Sequence, residues 1–214
     1  MLVEQIMTRN VVTVTPETAL TDALQLTRLR RIRHLPVVEN ERLVGIVSDR
    51  DMRDVCPSIL DPDWEVKVRG LRIEACMKRD VVTVEPWNFI EDAAAEMYRR
   101  KVSCLPVLDQ NRVVGILTER DILHTLLGMM GVLEPSSRIE VELPNRPGGL
   151  ADVADVLRAR RINASSVLIF PGKTPDTRHL VLRVQTMDPR RIIDDIKAAG
   201  YRVLGPFSDG GRGE

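Results

Sequence analysis

Apolar and polar positions change period in a fixed succession along the chain, and the succession is written twice. Residues 3 to 9 predict a short helical lead-in. Val11-Val12-Thr13-Val14 predicts a strand, closed by Pro16, which cannot donate to a sheet ladder. Thr18 stands where a helix cap is expected, and a helix to about Arg31 follows with Ala19, Ala23, Leu24 and Leu26 on its apolar face. Leu35-Pro36-Val37-Val38 predicts a second strand, Glu39-Asn40-Glu41 a turn, and Leu43 to Val47 a third strand running into a short helix from Ser48. Pro57, Pro62 and Gly70 then break the pattern, which reads residues 55–70 as a linker. The order returns as Met77, Val81 to Val84, Pro86, a helix from about Glu91 to Arg100, Leu105-Pro106-Val107-Leu108, and Val113 to Leu117. Residues 3–52 match 73–122 without a gap, 70 positions on, with about 20 of 50 positions identical. A repeat present only twice predicts one domain built from two similar halves, 1–70 with its linker and 71–130.

A helix over 119–127 leads into Leu127-Gly128-Met129-Met130-Gly131-Val132-Leu133, which reads as a buried helix end plus connector, or else as a subunit contact. From about Ser137 the texture changes. Arg138 to Leu143 alternates as a strand, Pro147-Gly148-Gly149 makes a tight turn, and Leu150 to Ile162 is an amphipathic helix with Leu150, Val153, Val156 and Leu157 on one face. Strands at Ser165–Phe170 and His179–Gln185, a helix at Pro189–Ala199 ended by Gly200, and a strand at Tyr201–Leu204 complete a strand-helix-strand-strand-helix-strand order over 137–207, the ferredoxin-like succession. Residues 208–214 read as a disordered tail.

The candidate chemistry sits where the third strand of each half meets its helix: Gly45-Ile46-Val47-Ser48-Asp49-Arg50-Asp51 and Gly115-Ile116-Leu117-Thr118-Glu119-Arg120-Asp121. Ser48 with Asp51, and Thr118 with Asp121, have the spacing of a capping box, the hydroxyl accepting from the backbone N–H three residues on while the acid reaches back. A helix N-terminus beside a strand end also suits phosphate, and an aspartate in its first turn offers two acceptors to the paired hydroxyls of a ribose. One residue can serve both ends.

These residues carry a resemblance. The repeat resembles a CBS-domain pair, with the G-h-h-S/T-x-x-D signature at Gly45, Ser48, Asp51 and Gly115, Thr118, Asp121, and the L-P-V element at Leu35-Pro36-Val37 and Leu105-Pro106-Val107. The resemblance implies AMP, ADP, ATP or S-adenosylmethionine held in two clefts between the halves, aspartate on ribose, hydroxyl on ribose or phosphate. In related pairs the two residues before L-P-V carry phosphate contacts; here they are Arg33-His34 and Ser103-Cys104. By charge, only the first pair offers a fixed cation, so the two clefts are expected to differ in affinity.

The C-terminal stretch is similar to an ACT domain through Asn145-Arg146-Pro147-Gly148-Gly149-Leu150-Ala151, with asparagine where that family's pattern has an acid. The resemblance implies a small ligand, often an amino acid, held by Asn145 and by backbone N–H groups from Gly148 and Gly149 to Leu150. The whole chain is similar to acetoin-utilisation proteins of the B type, which implies a regulatory role around acetoin or acyl-CoA metabolism. The expected fold is therefore α+β: a tandem CBS-domain pair of two β-α-β-β-α repeats plus a C-terminal ferredoxin-like ACT domain. The expected function is non-catalytic regulation of a partner enzyme by an adenine nucleotide. The alternative is a homodimeric scaffold whose CBS pair only assembles subunits while the ACT domain senses an amino acid.

Composition narrows this little. The 214 residues are 43% hydrophobic and 29% charged, with 31 basic and 31 acidic side chains, so charge points to neither nucleic acid nor membrane. Cys56, Cys76 and Cys104 have no CxxC spacing, which speaks against a disulfide framework or a zinc site, and the N-terminus carries no signal-peptide pattern. A cytoplasmic homodimer or higher homo-oligomer is expected. His34, His124 and His179 lie scattered, with no HExxH, GxSxG or Walker lysine, so no catalytic, metal or cofactor set is expected.

Overall fold

A computed structural model describes residues 1–57 and 63–205. The tail expected at 208–214 and the middle of the 55–70 linker lie outside the described residues. The chain divides into two compact units, Met1–Leu123 and His124–Glu214.

In the first unit, a 3-10 turn at Val3–Gln5 precedes helix α1 (Leu20–Arg30), strands β1 (His34–Glu39) and β2 (Arg42–Ser48), and helix α2 (Asp49–Asp54). Helix α3 (Trp64–Arg69), which the linker reading missed, and a 3-10 turn at Ile73–Ala75 lead to the second copy: α4 (Ile90–Arg100), β3 (Cys104–Asp109), β4 (Arg112–Thr118) and α5 (Glu119–Met129), within which the division at Leu123 falls. Asn40 and Glu41, and again Gln110 and Asn111, take left-handed backbone angles, which lets two residues close each hairpin along the natural strand twist. The hairpins join as one four-stranded sheet, β1-β2-β4-β3, through the Arg42 and Arg112 pair.

The halves are tied by exchange. Thr8, from the start of the first half, exchanges two backbone hydrogen bonds of 3.0 Å with Ile116 on β4, and Lys78 does the same with Ile46 on β2 at 2.8 and 2.9 Å. Met7 is thereby buried in the second half's core beside Leu105, Val107 and Leu117, and Met77 in the first half's core beside Leu35, Val37 and Val47. The close crossing explains Gly45 and Gly115. A Cβ on Gly45 would lie 2.9 Å from Met77 Sδ and 3.0 Å from the Lys78 carbonyl, and one on Gly115 would overlap Met7 Sδ.

Three local expectations are corrected. Neither Val11–Val14 nor its repeat Val81–Val84 forms a strand; only Val14 and Val84 make lone parallel bridges, to Val37 and Val107. Thr18 does not cap α1; its hydroxyl accepts from the Thr15 N–H at 2.9 Å, and the helix begins after Ala19 without a side-chain cap. On α1 the predicted Ala23, Leu24 and Leu26 do pack on the core, but Leu20 and Thr27 are the more deeply buried positions the apolar face left out; Thr27 tolerates burial because its hydroxyl donates to the Leu24 carbonyl at 2.8 Å.

The second unit contains β5 (Ser137–Pro144), α6 (Gly149–Arg160), β6 (Ala164–Pro171), β7 (Thr177–Val184), α7 (Arg190–Ala198) and β8 (Arg202–Gly205). Its antiparallel sheet has the order β6-β7-β5-β8. Ile139, Val141 and Leu143 of β5 and Leu180, Leu182 and Val184 of β7 share one core with Val153 and Leu157 of α6 and Ile192 and Ile196 of α7. Leu150 stands outside it, 42% exposed. The apolar run at the end of α5 and beyond is not a buried helix end: Met129, Met130, Val132 and Leu133 are each at least 40% exposed.

Candidate functional site

Each strand-to-helix junction closes on itself as a capping box. The Ser48 hydroxyl accepts from the Asp51 N–H at 3.1 Å, while Asp51 Oδ2 accepts from the Ser48 N–H at 2.9 Å and from the same hydroxyl. Thr118 and Asp121 reproduce the arrangement, with Asp121 Oδ2 2.8 Å from the Thr118 N and 2.6 Å from its hydroxyl. These bonds orient each carboxylate, and each junction lines a separate cavity.

The cavities are assembled from both halves. One, of about 230 Å³, is lined from the second half by Ile116, Thr118, Arg120 and Asp121 and from the first by Thr8, Asn10 and the Arg31-Ile32-Arg33-His34 segment. Its counterpart, of about 460 Å³, is lined from the first half by Ile46, Ser48, Arg50 and Asp51 and from the second by Lys78, Asp80 and the Lys101-Val102-Ser103-Cys104 segment. Arg33, whose cleft the sequence left open, thus faces Thr118 and Asp121. His34 and Ser103 line both cavities and meet between them, His34 Nε2 to Ser103 Oγ at 3.1 Å.

Sequence reasoning missed Thr8, Asn10, Lys78 and Asp80. The 70-residue offset pairs Thr8 with Lys78 and Asn10 with Asp80, but nothing local shows that each lead-in crosses to the other half. Lys78 Nζ lies 3.1 Å from Asp51 Oδ1. Burial opposes ionisation of Asp51, yet the hydrogen bonds from Ser48 and the Lys78 ammonium outweigh it, so its carboxyl titrates below the ordinary range. Burial, with Arg33 adjacent, pushes the His34 imidazole down against the pull of Asp49, Asp51 and Glu119. Burial also lifts the Cys104 thiol to about 12, which leaves it a neutral wall of its cleft.

In the second unit Asn145, Gly148, Gly149 and Leu150 come together on a cavity of about 250 Å³, with Arg146, Ile169 and Arg178. Gly148 takes φ +103°, a conformation that favours glycine, at the N-cap of α6. The Asn145 amide is committed within the fold: Nδ2 donates to the Pro175 carbonyl at 2.9 Å, and Oδ1 accepts from Arg178 Nε at 3.0 Å. Asn145 therefore ties its turn to the β6–β7 loop, a role the sequence pattern did not show. Among the described residues no cluster of His, Cys, Asp and Glu is arranged to hold a metal, and no helix is long and apolar enough to cross a membrane.

Comparison with known proteins fits this architecture. A CBS domain-containing protein of Dictyostelium discoideum is 34% identical over 142 residues, 64% of this chain and 98% of that protein. An inosine-5′-monophosphate dehydrogenase of Methanocaldococcus jannaschii is 35% identical over 56% of this chain, which spans only 22% of that enzyme. Among solved structures, the CBS domain pair of protein MJ0100 in complex with 5′-methylthioadenosine and S-adenosyl-L-methionine matches with a TM-score of 0.52 and 28% identity, over 60% of this chain and 97% of its own. The Arabidopsis thaliana CBS-pair protein CBSX2 in complex with AMP matches at 0.51 and 30%, over 59% and 96%. A Vibrio cholerae protein assigned to acetoin utilization (AcuB) matches at 0.53 and 32%, over 63% and 98%. The model of the CBS domain itself fits residues 3–58 and 72–128, the two halves that exchange their lead-in segments around the paired cavities. With both copies in register and more than half its length covered, the chain belongs to the CBS-domain family.

Proposed function

We propose that this protein is a regulatory sensor that binds an adenosyl ligand between the two CBS repeats and passes its occupancy to the C-terminal unit or to a partner enzyme. The observation that carries the reading is the twice-built junction, a hydroxyl and an oriented aspartate beside Ile46 or Ile116 at the wall of a cleft drawn from both halves. A carboxylate suits the two hydroxyls of a ribose, the strand isoleucine suits the flat face of a base, and the arginines suit a phosphate. The neighbours whose structures hold AMP, S-adenosyl-L-methionine and 5′-methylthioadenosine support the ligand class. Because each cleft takes walls from both repeats, a ligand favours one relative placement of them, which is the differential affinity that regulation requires.

The β-α-β-β-α-β unit we read as an ACT-like module, supported by its strand order and by the cavity at Gly148 and Gly149. The exposed Met129, Met130 and Leu133 support self-association, which would cover them. A place in acetoin or acyl-CoA metabolism is supported by the likeness to the Vibrio protein. Thermal unfolding against AMP, ADP, ATP, S-adenosylmethionine and a set of amino acids tests the reading. A ligand at a hundred times its Kd adds about 2.7 kcal/mol. A shift with an adenosyl compound supports it; a shift with amino acids alone leaves the CBS pair as a scaffold and refutes it.

A further inference from the structure

The 70-residue offset superposes one cleft on the other position by position, so their chemistry can be compared directly. Ile116 and Ile46, Val11 and Val81, Val12 and Val82, Thr118 and Ser48, and Asp121 and Asp51 are equivalent or nearly so. The parts suited to ribose and base are therefore duplicated. The differences gather elsewhere: Thr8 against Lys78, Asn10 against Asp80, Arg33 against Ser103, His34 against Cys104, and Asp54, whose counterpart His124 is not part of the first cleft's lining.

Those differences set the charge. Around the Thr118 cleft stand three arginines, Arg31, Arg33 and Arg120, against one acid, Asp121. Around the Ser48 cleft stand Arg50, Lys78 and Lys101 against Asp51, Asp54 and Asp80. There the charges are also spent on one another, Lys78 on Asp51 at 3.1 Å and Arg50 on Asp54 at 4.0 Å. A phosphate entering the Thr118 cleft meets an excess of guanidinium groups, whose planar donors match phosphate oxygens. A phosphate entering the Ser48 cleft meets a balanced set and the additional carboxylate of Asp80, which repels it.

Resting on the adenosyl reading above, we propose that the two clefts are specialised. The Thr118–Asp121 cleft takes the phosphorylated adenine nucleotide, with Arg33 as its specificity-determining residue. The Ser48–Asp51 cleft takes an adenosine derivative without phosphate, such as a 5′-thioadenosine. One chain then reads two classes of adenosyl compound at once, in clefts that share the His34–Ser103 contact as a common wall.

Titration calorimetry of the full chain with AMP and with 5′-methylthioadenosine tests this. The wild type is expected to bind one AMP per chain. Arg33→Ser, which copies its counterpart Ser103, is expected to lower the ratio of AMP to 5′-methylthioadenosine affinity at least tenfold, with the thioadenosine serving as the check on folding. The reverse exchange, Ser103→Arg with Asp80→Asn, is expected to create a second AMP site. Asp121→Ala should strike AMP binding hardest, and Asp51→Ala 5′-methylthioadenosine binding. Two equal AMP sites in the wild type, or an Arg33→Ser protein with an unchanged affinity ratio, overturns the specialisation while leaving adenosyl binding standing. No binding of either compound overturns the adenosyl reading and this assignment with it.

Discussion

Gly45 gives the sharpest test of how the two halves hold together. Its α-carbon lies under the crossing of the second lead-in, where a Cβ would stand 2.9 Å from Met77 Sδ and 3.0 Å from the Lys78 carbonyl. Carbon in ordinary contact sits at about 3.5–4.0 Å, so Gly45→Ala forces the crossing outward by several tenths of an ångström. The Met77 chain can swing aside. The Lys78 carbonyl cannot, because it accepts the Ile46 N–H at 2.9 Å. Overpacking of this kind costs about 1–3 kcal/mol, and for a unit of this size each kcal/mol lowers Tm by about 3–5 °C. Both tryptophans, Trp64 and Trp87, lie in the first unit, so tryptophan fluorescence, excited beyond the tyrosine band, reports its melting without interference from the second. The expected fall is about 3–15 °C, and Met77→Ala in the same chain should relieve only part of the steric cost. At Gly115 the three atoms nearest to that Cβ all belong to the Met7 side chain, so the coupling with Met7→Ala should be larger there. A Gly45→Ala protein melting within about 1 °C of wild type would refute the crossing as the reason for this glycine.

His34 and Asp51 make stability depend on pH in the same direction at different pH. The folded His34 imidazole titrates below its ordinary 6.5, so the unfolded chain takes the proton first; stability falls as pH drops through 6.5 towards the folded value and levels off below it. His34→Gln should flatten urea-unfolding free energies measured between about pH 7.5 and 5, and an unchanged slope would count against the burial of a neutral ring. The folded Asp51 carboxyl titrates below 3.8, so its contribution is present above that value and is lost as pH falls through the folded one. Asp51→Ala, which removes the carboxylate that accepts from the Ser48 N–H and pairs with Lys78, should cost about 1 kcal/mol at neutral pH. Asn145→Ala, which releases the Pro175 and Arg178 contacts, should cost about 1 kcal/mol and raise proteolysis of the β6–β7 loop. Full protection of that loop would show that Asn145 does not restrain it.

Features set by neighbours in sequence were the legible ones. The hairpins, the capping boxes at Ser48 and Thr118, and the alternation of β5 all follow from local period and turn chemistry. What depends on a partner distant in sequence was not legible. Val11–Val14 has strand composition, yet only Val14 finds a bridging partner. Thr18 has a capping side chain, but the Thr15 N–H takes it first. Thr27 is buried because its hydroxyl finds the Leu24 carbonyl, which a face drawn from apolar residues cannot anticipate. Arg33 was legible as a cation, but the cleft it lines became definite only when Thr8 and Lys78 crossed to opposite halves.

Affinity for AMP in wild type, Asp51→Ala and Asp121→Ala, read by calorimetry on the full chain, bears most directly on the central claim. If an aspartate holds a ribose, losing two charge-assisted hydrogen bonds at about 1.5–3 kcal/mol each weakens binding on the order of a hundredfold or more in the variant whose cleft is used. Saturable binding by the wild type, lost in Asp121→Ala, is the expected result. Equal affinity in all three proteins would contradict the account and reduce both aspartates to helix caps.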